Sequence, residues 1–469
     1  MPTSPSFPRD DNIGHDVSTV AGCETTFVLA RWGARNILVR QPKSKLGCRQ
    51  CKEKRVKCDE TYPTCLRCAR RGSICSSTPR VTQWQVETRW YSSHVDTIVN
   101  RRLLQYWLER VSQTLVIDPE NNPFSYPVLE YIQESPALVH IIQSVSARHE
   151  QYYSAQVARI ALEERGKALM SFRTELGALK TRPLLSILTA LLLGLSHGAD
   201  HDMTDFGKWH LFAARMLVDQ VVQDEAHPWD TDPLSRLCLG VYLYWDMGCS
   251  YLVHPNEQQE LDTPSISMAV EKLGQWHHPM YGFCTELIFM LGNLGRYCRQ
   301  VLHSQCRSLA REVQLEKDLY MWTVPSTHPT LMLLYESLRK HGLILLYRVC
   351  GWNGSPVNRS FEDFDLESLI YHYALETIAH LLHIPLSSNY LNFQSVPLLT
   401  AGSELKREDV DLRDDVRRRL RALYSMNRLP VNVHALELLE EIWTVRDNSG
   451  DTSSWIHHML RKGWLLVLG

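Results

Sequence analysis

The sequence predicts two fold classes in one chain: a small cysteine-rich metal module near the N-terminus, followed by a large all-α, multi-helix domain. Three observations predict this. Six cysteines fall between Cys48 and Cys75 at C-x2-C-x6-C-x6-C-x2-C-x6-C spacing. From about residue 95 onward, apolar residues recur with helical periodicity through one stretch after another. Few stretches show the apolar/polar alternation of a half-buried strand. At 469 residues the chain is long enough for a small module and a large core.

Residues 1–43 are read as a disordered or weakly ordered extension. The opening MPTSPSFPRDDNIG is polar and proline-rich, unlike a secretory signal. Thr25 to Val39 is apolar and basic without an acidic residue, and fits a weak mitochondrial-like signal or a short extra strand. No role follows for it.

The cysteine segment spans residues 44–78. Two C-x2-C hooks in a chain without secretory features point to metal rather than to disulfides. Four thiolates fill one tetrahedral zinc site, and two separate sites need eight. Six thiolates therefore satisfy two zinc ions only when two of them bridge, which makes a compact binuclear cluster. A LIM- or RING-like docking module would need eight ligands and often uses histidine, and the segment has none. Between Lys43 and Arg80, eleven Lys or Arg residues face Glu53, Asp59 and Glu60, a balance of +8. Two Zn2+ and six thiolates lower this to about +6, a field suited to phosphate and to salt-dependent binding. The whole chain carries −2, so the remainder stands near −10, and the larger part is not a nucleic-acid binder in its own right. Lys and Arg on a short rigid element also match the acceptors O6 and N7 of guanine in the major groove.

This spacing resembles that of the fungal binuclear-cluster (Zn2Cys6) transcription factors. The shared features are the basic run Lys52, Lys54, Arg55, then Lys57-Cys58-Asp59, and Pro63 two residues before Cys65. The resemblance implies that Cys48 and Cys65 bridge, that Cys51 and Cys58 complete one zinc and Cys68 and Cys75 the other. It also implies two halves, each a short helix after its C-x2-C and then an extended strand, with the first half in the major groove. Lys54 and Arg55 match the base-reading positions for a CGG or CCG triplet. Arg49, Lys52, Lys57, Arg70 and Arg71 stand where phosphate is near. Glu53 occupies a position that is usually basic, and its carboxylate should weaken phosphate attraction slightly.

Residues 79–94 read as a linker. Val95, Val99, Leu103, Trp107 and Val111 then form an i,i+4 stripe over Ser93–Val111. That is one amphipathic helix, short of the three or four heptads of a coiled coil, so no dimer is read from it, and packing on its own domain is as open to it as pairing. Any pairing of two chains is expected to use the helical domain.

Residues 95–469 are read as all-α. Helices are expected over Ser135–Arg173, Pro183–Ser196, Phe206–Gln223, Pro233–Tyr244, Ser265–Leu273, Tyr281–Leu315, Thr330–Val349, Phe361–His383, Asp409–Asn427 and Val431–Val445. Breaks are expected at GWNGSPVN (351–358) and IPLSSNY (384–390), with helix starts at Ser360/Asp363 and at Asp232-Pro233. The apolar run Leu184 to Leu195 is short of the roughly 20 residues needed to span a bilayer, and reads as a buried helix. SPALVHIIQSVSARH, the LLLG segment and WHLFAARMLV resemble, more loosely, the helical regulatory domain of the same family. The resemblance implies autoinhibition, effector sensing and partner contacts.

Enzyme signatures are missing. His149-Glu150 lacks the second histidine of H-E-x-x-H, and GVYLYWDMG and GLSHG are neither phosphate loops nor nucleophile elbows. The twenty histidines and thirteen tryptophans read as ordinary surface and core residues. FEDFDLESL (361–369) reads as the charged first turn of a helix rather than an activation surface. Seven cysteines outside the cluster (23, 238, 249, 284, 298, 306, 350) read as buried thiols in a reducing compartment. The apolar ending GWLLVLG suggests a tail packed on the helical domain or an incomplete gene product.

These readings converge on a non-enzymatic nuclear protein holding two Zn2+ per chain. It would bind double-stranded DNA, alone or as a homodimer, and regulate RNA polymerase II transcription with the transcription machinery or co-regulators, without a membrane. The alternative is a helical scaffold or enzyme-like protein that uses a structural zinc module and does not bind DNA.

Overall fold

The computed structural model describes residues 47–59, 64–76, 98–150, 155–178, 182–198, 200, 202–224, 229–323, 328–351 and 365–468. The expectations for residues 1–43, for Pro63 and for the linker lie outside these residues. So do Ser360 and Asp363.

The cysteine segment contains two five-residue helices, α1 (Arg49–Glu53) and α2 (Leu66–Arg70). Each contains the second cysteine of its C-x2-C rather than following it. The first cysteine is the N-cap, and its sulfur accepts the amide of the second at 3.4 Å (Cys51 to Cys48, Cys68 to Cys65). One helical turn places both thiols of a hook on one face. The strands expected after the two helices are not formed: residues 56–59 and 73–76 have no regular secondary structure.

The helical domain begins with α3 (Arg101–Tyr106), a π-helical turn at Trp107–Val111 and a 3-10 turn at Ser112–Leu115. The sequence predicted one regular helix here. The apolar stripe recurs every fourth residue, slower than an α-helical turn, and the wider i→i+5 turn keeps it on the buried side. Leu103, Trp107 and Val111 are all buried, and the Trp107 indole N–H donates to the Phe124 carbonyl at 2.6 Å. Of the two courses open to the stripe, it packs on its own domain.

The predicted run Ser135–Arg173 divides into α4 (Pro136–Glu150) and α5 (Ala155–Ala178). There follow α6 (Pro183–Gly198), α7 (Lys208–Gln223), α8 (Pro233–Cys249) and α9 (Pro264–Gly274). Asp232 caps α8 as predicted, accepting the Ser235 amide at 3.0 Å with Pro233 in the first turn. The run Tyr281–Leu315 is also two helices, α10 (Thr285–Ser304) and α11 (Leu309–Met321). The chain turns at Gln305, whose φ of 56° lies in the left-handed region without a glycine to signal it. Next are α12 (Pro329–Cys350) and α13 (Leu366–His383). The α13 cap is Asp365, which accepts the Ser368 amide at 2.9 Å, and Glu367 pairs with Arg348. The acid-aromatic segment thus ends in a charged first helical turn. Helix α14 (Ser395–Ser403) was not predicted, α15 (Val410–Asn427) and α16 (Val431–Ser449) were, and α17 (Trp455–Arg461) was not.

Helix α4 packs on α5 and α6, α6 on α7 and α8, α10 on α8 and α12, and α14 on α12, α13 and α16. One continuous apolar core joins them from Leu104 to Leu468. Helix α6 is buried on nearly every face, as its apolar run predicted. Among the described residues, no helix is long and apolar enough to cross a membrane. Cys238, Cys249, Cys284, Cys298 and Cys350 are buried thiols, but Cys306, in the turn after α10, is exposed and corrects that reading. The end of the chain packs on the domain: Leu466 and Leu468 are buried, and the Leu465 amide donates to the Met203 carbonyl at 2.7 Å.

Candidate metal centre and DNA-facing turn

The cluster is built on one backbone motif used twice. Adding 17 to each number carries Cys48, Cys51 and Cys58 onto Cys65, Cys68 and Cys75. The hydrogen bonds repeat with the same offset. Val56 N–H donates to the Cys51 carbonyl at 2.9 Å and Arg55 N–H to Lys52 at 3.0 Å; Ser73 N–H donates to Cys68 at 3.0 Å and Gly72 N–H to Ala69 at 3.1 Å. This is the Schellman ending of a helix, whose turning residue must take a positive φ. That residue is Arg55 at 53° in the first half and Gly72 at 55° in the second.

All six thiols are buried in a common centre, none more than 3% exposed. Cys48 Sγ lies 3.8 Å from Cys65 Sγ and 3.7 Å from Cys68 Sγ, and Cys51 Sγ lies 3.8 Å from Cys65 Sγ. A tetrahedral zinc with Zn–S bonds of about 2.3 Å has sulfur–sulfur edges of about 3.8 Å. The donor set therefore fits zinc in both chemistry and spacing. Cys48 and Cys65 stand centrally. Cys48 neighbours thiols of both halves, while the Cys65 thiol is grouped with those of Cys48, Cys51 and Cys68 and also with Cys58. The Cys65 amide donates to Cys75 Sγ at 3.4 Å. Burial pushes the Cys48 and Cys65 thiols up to about 12 and Cys51 to about 11; a hydrogen bond with Cys75, and then burial, raise Cys68 further. Such a nest of thiols takes the thiolate form when a cation compensates it.

Two supports were not legible in the sequence reading. Asp59, noted only as part of a motif, accepts the Leu66 and Arg67 amides at 3.0 and 3.3 Å and so caps α2 from the first half. Ser76 clips the segment's ends together: its hydroxyl accepts the Arg49 amide at 2.8 Å and donates to Gln50 Oε1 at 2.8 Å. A serine directly after the last cysteine was the available signal.

Lys52, Lys54, Arg55 and Lys57 are exposed on and after α1, and Arg70 and Arg71 are exposed at the end of α2. Arg49 is exposed but pairs with Glu53 at 2.6 Å, so the unusual carboxylate is spent on a neighbouring cation. The second half lies against the C-terminal half of α15 and the residue that follows it: Cys75 meets Ser425 and Arg428, and Gly72 meets Arg418. Arg55 is on the other half.

The family model described as "Fungal specific transcription factor domain" matches residues 102–469, and "Fungal Zn(2)-Cys(6) binuclear cluster domain" matches residues 46–85. The chain belongs to the fungal Zn2Cys6 transcription factor family. It carries the two regions that these models describe, a cluster module and a helical domain. Over 42 residues it is 48% identical to a Zn(2)-C6 fungal-type transcription factor of Gibberella zeae, covering 9% of this chain and 8% of that protein. Over 52 residues it is 38% identical to an uncharacterized transcriptional regulatory protein of Schizosaccharomyces pombe, covering 11% and 10%. Over 37 residues it is 51% identical to a lysine biosynthesis regulatory protein of Saccharomyces cerevisiae, covering 8% and 5%. The matched segments thus span a tenth or less of these relatives' lengths. No solved structure matches the chain.

Proposed function

We propose that the chain is a sequence-specific regulator of RNA polymerase II transcription that works in the nucleus and reads a CGG or CCG triplet. One observation carries the reading: six buried thiols, of which Cys48, Cys51, Cys65 and Cys68 stand at the spacing of tetrahedral zinc, lie beside an exposed basic turn from Lys52 to Lys57. Cys48, Cys51, Cys58 and Cys65 would hold one Zn2+, and Cys48, Cys65, Cys68 and Cys75 the second. The ions supply the folding free energy that so small a core lacks. The cage then fixes α1 and the turn behind it as a rigid unit. Lys54 and Arg55 would donate to the acceptors of guanine in the major groove, which specifies sequence. Arg49, Lys52, Lys57, Arg70 and Arg71 would meet phosphates, which sets register and affinity. Three base pairs carry too little information to choose a promoter, so the reading includes a second copy of the chain or added contacts from the linker, and a co-regulator as partner.

The test is metal content together with duplex binding. The full chain, reduced and freed of loose metal, should hold two zinc ions and prefer duplexes with the triplet over scrambled ones. Replacing Cys48 or Cys65 should empty both positions, whereas replacing Cys51 should first empty one. A single zinc would instead leave Cys48, Cys51, Cys65 and Cys68 as one ordinary four-thiol site.

A further inference from the structure

Two adjoining cavities lie in the core of the helical domain, far in character from the cluster. The first, about 110 Å3, is lined almost wholly by apolar groups, among them Leu188 and Leu191 of α6 and Val241 and Trp245 of α8. The second, about 70 Å3, shares Leu115, Leu195, Tyr244, Met280 and Leu429 with it, so the two lie side by side. Its far side is polar and includes Asn392.

Asn392 is 5% exposed, and among the described residues neither its amide nitrogen nor its amide oxygen has a hydrogen-bond partner. A buried amide left so costs several kcal/mol in an apolar setting, so natural cores rarely keep one without a partner. Of the chamber's two arginines, Arg148 pairs with Asp200 at 3.0 Å, and Arg428 donates through Nη2 to the Cys75 carbonyl, while its Nε and Nη1 make no hydrogen bond among the described residues. His149 accepts from the Tyr106 hydroxyl at 2.8 Å on Nδ1 and approaches the Met426 carbonyl on Nε2, the pattern of a neutral imidazole.

We propose that these adjoining cavities form a binding site for an uncharged small amphiphile, a carboxamide on an apolar body about the size of one ring. The apolar chamber sets the body, since an apolar cavity of about 150 Å3 holds benzene. Asn392 sets the head. Its side chain offers a donor and an acceptor side by side in one plane, and the two-point complement of an amide is another amide. A carboxylate offers only acceptors and leaves the Asn392 oxygen unmet. A plain hydrocarbon leaves both atoms unmet.

Titration calorimetry on the full chain tests this with benzamide, benzoate and toluene as probes. Benzamide should bind saturably and at least tenfold more tightly than either of the others. Asn392→Leu should weaken benzamide at least tenfold and leave toluene unchanged. Val241→Phe, which fills the apolar chamber and leaves the amide in place, should weaken benzamide and toluene alike, with circular dichroism confirming helix content in both variants. No saturable benzamide binding, equal binding of benzamide and toluene, or benzoate binding more tightly than benzamide would each overturn the proposal. So would a folded Asn392→Leu protein that keeps wild-type affinity for benzamide.

Discussion

Arg55 sits in a backbone conformation that a side chain with a Cβ resists, at φ 53°, while the equivalent turn of the second half uses glycine. The left-handed region costs an ordinary L-residue on the order of 1–2 kcal/mol. Strain of this kind is kept where the surroundings enforce it, and it points to a use for the side chain. Arg55→Gly separates the two roles. The variant should resist heat and chelator as well as the parent, or better by about 1 kcal/mol. It should nonetheless lose discrimination between triplet and random duplex by roughly 1–3 kcal/mol. Equal weakening on both duplexes would show that Arg55 contributes only charge. Glu53→Gln addresses the neighbouring pair. Releasing Arg49 should tighten binding to specific and random duplexes by the same few-fold factor, with a salt dependence steeper by about one counterion. A gain confined to the specific duplex would contradict that account.

At the scale of elements, the cysteine spacing made the six-thiol cage legible, because ligand number and geometry leave few arrangements. Helix α8 was legible for similar reasons, since periodicity, the Asp232 cap and Pro233 agree, and α9 and α12 were legible from their periodicity. The failures have local causes. The stop after α10 is made by Gln305 in a conformation usually left to glycine or asparagine. Helix α14, SVPLLTAGS, is short and buried on all sides, so it lacks the amphipathic pattern that marks a helix. Helix α17 is only seven residues long. The α2 cap from Asp59 crosses between the two halves, which a linear reading does not see. Asp59→Ala should cost about 1 kcal/mol of cluster stability, read as earlier zinc release during chelator titration. Unchanged release would mean that the thiols alone fix α2.

The whole molecule joins a basic module to a helical body with a net acidic balance, and the body carries a pH dependence of its own. Burial holds His149, His278 and His341 well below the ordinary histidine range, at about 3. In the unfolded chain such groups titrate near pH 6.5. Below that pH the unfolded state binds protons that the folded state refuses, so stability is full above about 7 and declines as the pH falls toward 3. Three such groups give a slope of roughly 4 kcal/mol per pH unit near pH 5. Urea melts of the full chain at pH 7, 6 and 5 should show falling midpoints, and His341→Gln should flatten the trend; a flat profile in the parent would contradict it. The doubled turn of the cluster has a further consequence. A module whose two halves repeat by an offset of 17 could lie on a duplex either way round, like an unmarked compass needle. A long cation at one turn and a bare glycine at the other mark its ends. Gly72 is the end set against Arg418 of the helical body and Arg55 is the exposed one, so under the proposed reading the difference between two residues would set which way round the body lies along the DNA.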